Sequence, residues 1–158
     1  MYKREKNAGP KTENPLELGE FLCFAVYAAN HAFNRLYQPL LAKLGLTYPQ
    51  YLVMVSMWEN DDQTVGSLGI RLLLESSTLT PLLKRLEKME LITRERDKVD
   101  ERQVRINLTP KGKALRASAR DIPACVLEAS GLEPDQLRRL KRELELVRKN
   151  LYSPIAAP

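Results

Sequence analysis

Two cysteines and one short run of hydroxyls and ammoniums are the side chains here with the clearest chemistry. Cys23 sits in the apolar run FLCFAVY, and Cys125 lies far downstream in ARDIPACVLEAS. That separation is neither a CxxC redox motif nor a zinc set. A free cysteine is commonly a small core residue, whereas a reactive one needs its thiolate stabilised. No lysine or arginine lies within seven residues of Cys23 on either side. Its apolar stripe extends upstream to Leu16, which puts Cys23 about two turns inside a helix, where the terminal dipole helps little. Any activation therefore comes from groups distant in sequence, and hydrogen-bond donors are the economical choice. His31 is the only histidine, so no metal site or other cofactor is expected.

The hydroxyl and ammonium run begins at Ser76. Leu79, Leu82, Leu83, Leu86 and Met89 recur three and four apart and form one helical stripe. Ser77, Thr80, Pro81, Lys84 and Lys88 fall away from it, and Ser76, Ser77 and Thr78 are candidate caps for the helix start. Small polar residues let a helix backbone approach a major groove, and lysines reach phosphates. Alone, the pattern also fits an ordinary surface helix. After it, QVRINL alternates Val104, Ile106 and Leu108 with polar residues, the period of a half-buried strand, and LITRERD is also strand-like. The loop DKVDER (97–102) between them is too polar to be buried. Its Arg102, with Asp100 positioned to brace it, suits a minor groove. Arg85 on the helix and Arg94 and Arg96 on the first strand complete the candidate DNA contacts. Helix and hairpin together predict a winged helix-turn-helix reader of double-stranded DNA.

The elements that must hold this reader are mostly helical. TVGSLGIRLLL (64–74) supplies the first helix of the pair, with Glu75 and Ser76 as the turn. A long helix spans 16–44 and ends at Gly45. Thr47 and Gln50 form a capping-box pattern that opens a helix through about Asn60. Thr109-Pro110 begins a helix reaching about Ser130, interrupted near Pro123. Glu133-Pro134 starts the last helix, whose Leu137, Leu140, Leu144, Val147 and Leu151 form a coiled-coil-like seam. The fold class is mainly α with a small β-hairpin wing. Residues 1–15 are expected to be loosely ordered and 16–158 to form a single domain. Within it, 64–108 is the winged helix-turn-helix, and 16–44 and 110–151 are dimerisation helices. A homodimer would set two recognition helices on a pseudo-palindrome, roughly 10 bp or a small multiple apart.

A formal charge of +5 and a pI near 9.3 suit a polyanion partner. Yet the window 64–108 holds nine basic and seven acidic residues, so placement matters more than total. No run is apolar enough for a membrane helix and no apolar signal core is present, so a cytoplasmic location is expected.

The segment GSLGIRLLLESSTLTPLLKRLEKMELITRERDKVDERQVRINLTPKG resembles the winged-helix core of MarR-type bacterial transcription regulators, most specifically in Asp100-Glu101-Arg102 and the LTPKG exit. It departs from their usual pattern at Ser67, Glu75 and Ser77. With LTPLLKRLE joined to a first-helix cysteine, the chain is most similar to the two-cysteine organic-hydroperoxide-resistance repressors (OhrR). That resemblance implies a dimeric repressor, not an enzyme, whose Cys23 is oxidised by organic hydroperoxides so that operator DNA is released. It further implies that Tyr37 and Tyr48 donate hydrogen bonds to the thiolate and that Cys125 of the other subunit resolves the sulfenate as a disulfide. Two other classes stand beside it. One is a regulator released by a small aromatic ligand in the dimer cleft, with Cys23 merely packing and Trp58, Phe33 and His31 as candidates for the pocket. The other is a thiol peroxidase using the same cysteine.

Overall fold

The computed structural model describes residues 16–152; the expectation for residues 1–15 and the last six residues of the expected 16–158 domain lie outside them. The chain divides into two units whose boundary falls after Leu36.

In the first unit a short 3-10 turn, Leu18–Glu20, precedes helix α1, Leu22–Ala42, which continues past the boundary. The continuous helix expected from Leu16 is therefore not formed. Phe21 is extended (φ −82°, ψ 114°), and its carbonyl accepts the N–H of Ala25, so the helix starts there. This places Cys23 in the first turn, not two turns inside.

The second unit opens with the end of α1. Gly45 takes φ +67°, and the N–H groups of Gly45 and Leu46 return to the carbonyls of Ala42 and Leu41 at 3.1 Å. That pairing is the Schellman closure glycine permits. Helix α2, Tyr48–Glu59, begins as expected, with Gln50 Oε1 accepting the Thr47 N–H at 2.8 Å. Next come β1 (Gln63–Thr64), α3 (Val65–Leu72) and α4 (Ser76–Lys88). Strands β2 (Ile92–Arg96) and β3 (Val104–Leu108) follow, then α5 (Pro110–Ala119), α6 (Ile122–Ser130) and α7 (Pro134–Tyr152).

The hairpin is part of a three-stranded antiparallel sheet ordered β1-β3-β2, with Gln63 opposite Ile106 and Ile92 opposite Leu108. Strand β1 takes Thr64, which was expected to be helical; its hydroxyl instead caps α3 by accepting the Ser67 N–H. Leu73 also leaves the expected helix: at φ 57° it makes the left-handed exit that glycine usually supplies, and the turn is Leu73–Glu75. The core joins Val53, Met54 and Met57 of α2, Leu68 of α3, Leu79, Leu83 and Leu86 of α4, and Ile92 and Ile106 of the sheet.

Helix α5 is capped as the sequence predicts: Thr109 Oγ1 accepts the Gly112 N–H at 2.9 Å, with Pro110 in the first turn. The helix breaks before Pro123, which lies in the first turn of α6. Gly112 meets the rest of the unit at backbone level. Its carbonyl accepts from Trp58 Nε1 at 2.8 Å, and a Cβ there would overlap the Leu91 carbonyl oxygen. Gly112→Ala should therefore cost about 3 kcal/mol of unfolding free energy, the upper part of the overpacking range. Urea denaturation checks this; a loss below about 0.5 kcal/mol would show that the contact relaxes freely.

Candidate nucleic-acid interface and thiol site

Helix α4 is held by its apolar stripe and presents the opposite face. Leu79, Leu83 and Leu86 are fully buried, while Ser76, Ser77, Thr78, Pro81, Lys84, Arg85 and Lys88 are exposed and Thr80 is half-buried. Met89 of the expected stripe lies just beyond the last turn. The expected cap is corrected as well. Glu75, not Ser76, Ser77 or Thr78, is the N-cap, and no side chain caps the helix there. The Glu75 carbonyl accepts the N–H groups of Thr78 and Leu79, so the three hydroxyl residues already lie in the first turn. A helix N-terminus with uncapped N–H groups attracts phosphate. Pro81 removes the N–H that would otherwise bond the Ser77 carbonyl.

The wing departs from expectation at its root. Asp97, read as a solvated loop residue, is only 8% exposed. Its Oδ1 accepts the N–H groups of Val99 (2.7 Å) and Asp100 (3.0 Å), and its Oδ2 pairs with Arg105. Arg105 also reaches Asp62, at 2.9 Å to its carboxylate and 3.1 Å to its carbonyl, so the hairpin is bolted to the turn before β1. These bonds satisfy the carboxylate, and for that reason it can be buried. The Asp100 and Val99 amides and then Arg105 hold the Asp97 carboxyl down at about 2. Sequence reading missed Asp97, Arg105 and Asp62. An aspartate entering a turn was the available signal.

The remaining wing candidates divide by exposure. Arg102, with its side chain 92% exposed, donates from Nε to Asp100 Oδ1 at 3.1 Å, the brace the sequence predicts. That bond is the largest influence lowering the Asp100 carboxyl. Arg96 is exposed. Arg94 is half-buried and turns back toward Glu87 of α4 at 3.6 Å.

Both thiol candidates are free and exposed within the single chain, as are Leu22, Phe24 and Phe33 of the helix that carries Cys23. Cys23 occupies the first turn of α1, where unpaired backbone N–H groups favour negative charge. Cys125 lies in α6, its N–H bonded to the Asp121 carbonyl at 3.1 Å. Tyr37 and Tyr48 come together, with ring centroids 4.6 Å apart, and Tyr51 joins them 6.0 Å from Tyr37. Burial, then the neighbouring Tyr48 and Tyr51, pushes the Tyr37 phenol up to about 12; burial also raises Tyr48. Both phenols, like any tyrosine at neutral pH, carry an O–H that can donate. Phe33 and His31 are exposed, with His31 edge-on to Tyr27 at 4.4 Å. Trp58 lines a cleft of about 670 Å³ with Tyr51, Lys113, Arg116 and Arg120. Among the described residues there is no metal-binding cluster, and no helix is long and apolar enough to cross a membrane.

Residues 35–118 match the family model described as transcriptional regulator SarA/Rot. The HTH-type transcriptional regulator TtmR of Methylorubrum extorquens is 48% identical over 89% of this chain and 72% of its own. The organic hydroperoxide resistance transcriptional regulator of Bacillus subtilis is 43% identical over 87% of this chain and 93% of its own. Reduced AbfR of Staphylococcus epidermidis, solved bound to DNA, is 37% identical with a TM-score of 0.71, covering 84% of this chain and 92% of that one.

The wing lock carries its own pH signature. A carboxyl depressed below the ordinary value near 3.9 contributes stability that is complete above that value and lost as pH falls toward about 2. The wild-type unfolding free energy should therefore drop more steeply between pH 4 and pH 2 than that of Asp97→Asn. Urea titrations across this range test it, and parallel pH slopes would show that Asp97 does not lock the wing.

Proposed function

The chain belongs to the SarA/Rot/MarR-type transcription regulator family and is a DNA-binding transcriptional regulator, and from that premise we propose that it is a homodimeric repressor released by oxidation of Cys23. The observation that carries the redox half is that Cys23 is a free thiol placed in the first turn of α1. Likeness to a hydroperoxide-resistance regulator points to organic hydroperoxides as the oxidant.

In this reading 16–158 acts as one dimeric domain, with 64–108 as the reader. A second copy covers the α7 seam, where Leu140, Leu144 and Leu151 are exposed and Leu137 and Val147 half-buried. Two α4 helices enter successive major grooves of a pseudo-palindromic operator, with Ser76, Ser77, Thr78, Thr80 and Pro81 nearest the bases. Lys84, Arg85, Lys88 and Arg96 supply phosphate contacts, with Arg94 half-buried beside Glu87 behind them, and Arg102, braced by Asp100, enters the minor groove. Tyr37 and Tyr48 of the partner subunit, packed together with ring centroids 4.6 Å apart, donate to the Cys23 thiolate.

The thiolate attacks the peroxide oxygen of ROOH, breaking the O–O bond to give Cys23 sulfenic acid and, after proton uptake, the alcohol ROH. The thiol of Cys125 of the partner subunit then displaces the sulfenic hydroxyl, forming the S–S bond and releasing water. A disulfide needs its two alpha carbons within about 7 Å. Closing it pulls helices and rotates the paired readers out of register with their half-sites.

A second reading has one observation in its favour: the cleft with Trp58, Tyr51, Lys113, Arg116 and Arg120 suits a small aromatic acid. A thermal shift with phenolic acids, without any response to peroxide, would support it instead.

In a gel-shift assay Cys23→Ser should bind operator DNA as wild type does but stay bound in cumene hydroperoxide. Release of that variant by peroxide would end the sensor claim. Cys125→Ser should still be oxidised yet give no disulfide-linked dimer on a non-reducing gel; a surviving dimer would exclude Cys125 as the resolving thiol.

A further inference from the structure

Val99 is the most exposed large apolar residue of the described chain, at 97%, and it stands alone at the wing tip. An isolated exposed valine is unremarkable on a mobile loop. This one is braced on both sides. Its own N–H is fixed to Asp97 Oδ1 at 2.7 Å, and the next N–H is bonded to the same oxygen. The turn closes behind it through Gln103 N–H to the Asp100 carbonyl at 2.8 Å, and Arg105 anchors Asp97 from β3. The exposed Lys98 precedes it, and after Asp100 and the exposed Glu101 comes Arg102, paired with Asp100. A branched hydrocarbon is thus presented on a hydrogen-bonded tip, beside Lys98, on the wing of a DNA-binding protein.

We propose that Val99 is a specificity-determining residue that enters the minor groove as an apolar wedge and excludes G·C pairs beneath the wing tip. The minor-groove floor of A·T shows only acceptors, whereas G·C adds the guanine N2 amino group. A valine can neither bond that donor nor leave it to water, so a G·C pair there is penalised, while an A·T pair leaves room for the side chain. Proteins that bind this groove combine basic side chains with inserted apolar ones. Selection by exclusion differs from the role given to Arg102, which is drawn by negative potential. The inference rests on the minor-groove placement of the wing proposed above.

The test selects binding sites from random duplex DNA with the full chain and with Val99→Asn and Val99→Ile. Wild type and Val99→Ile should enrich A·T at the positions outside the helix-read core of each half-site. Val99→Asn, whose carboxamide can accept from N2, should tolerate G·C there while keeping the same core. Substituting inosine·C at those positions then isolates the amino group, because inosine keeps the major-groove edge of guanine but lacks N2. Wild type should bind the A·T and inosine·C sites alike and about ten-fold more tightly than the G·C site. Inosine·C binding as weakly as G·C, or full discrimination by Val99→Asn, would overturn the wedge. An enriched core with no flanking preference would overturn the wedge while leaving major-groove reading intact. Failure to enrich any sequence would overturn both.

Discussion

Three leucines fix the rotation of the reading helix, and everything outward of them follows from that. Leu79, Leu83 and Leu86 lie on one stripe of α4, fully buried against a core that includes α2 and the sheet. Burial of a leucine contributes about 1.5–3 kcal/mol, so turning the helix by one residue would cost several such terms and drive Lys84 or Arg85 inward. The hydroxyls and cations of α4 are exposed because the leucines are not.

The wing meets a different constraint. Its tip has no core to rest on, so apolar packing cannot fix it. An ionic and amide network does so instead. One buried carboxylate, Asp97, gathers two backbone N–H groups and the Arg105 guanidinium, and Arg105 carries the restraint to Asp62. A lone surface ion pair contributes little, but this set shares partners and includes backbone donors. It turns a charged loop into a fixed presenter of Val99 and Arg102.

Much of this was legible in the sequence, for physical reasons that differ by element. The α4 stripe, the β3 alternation, the Thr109-Pro110 start and the Gly45 exit each depend on residues a few places apart, so local pattern sufficed. Strand β1 escaped because two residues are too short to show a period. Leu73 escaped because nothing in a leucine signals a left-handed backbone. The start of α1 was misplaced because Leu16, Phe21 and Phe24 continue an apolar stripe through a point where the backbone is extended. Asp97 was misread because its burial depends on Arg105 and Asp62, partners that composition cannot assign. Of the candidate site, the outward face of α4 and the Asp100–Arg102 brace were visible; the lock beneath them was not.

The corrected start of α1 matters most for regulation. It moves Cys23 from a helix interior to a first turn, where backbone N–H groups are unpaired, and leaves it exposed. The central claim is that the oxidation state of this sulfur sets DNA occupancy. Intact mass and fluorescence anisotropy, read on one sample of the DNA-bound protein as cumene hydroperoxide is added, measure both sides of that claim. The account predicts that DNA is lost in step with formation of a species of two chains less two hydrogens per disulfide, mapped by peptide mass to Cys23 and Cys125. DNA retained on fully oxidised protein, or released from protein of unchanged mass, would contradict it.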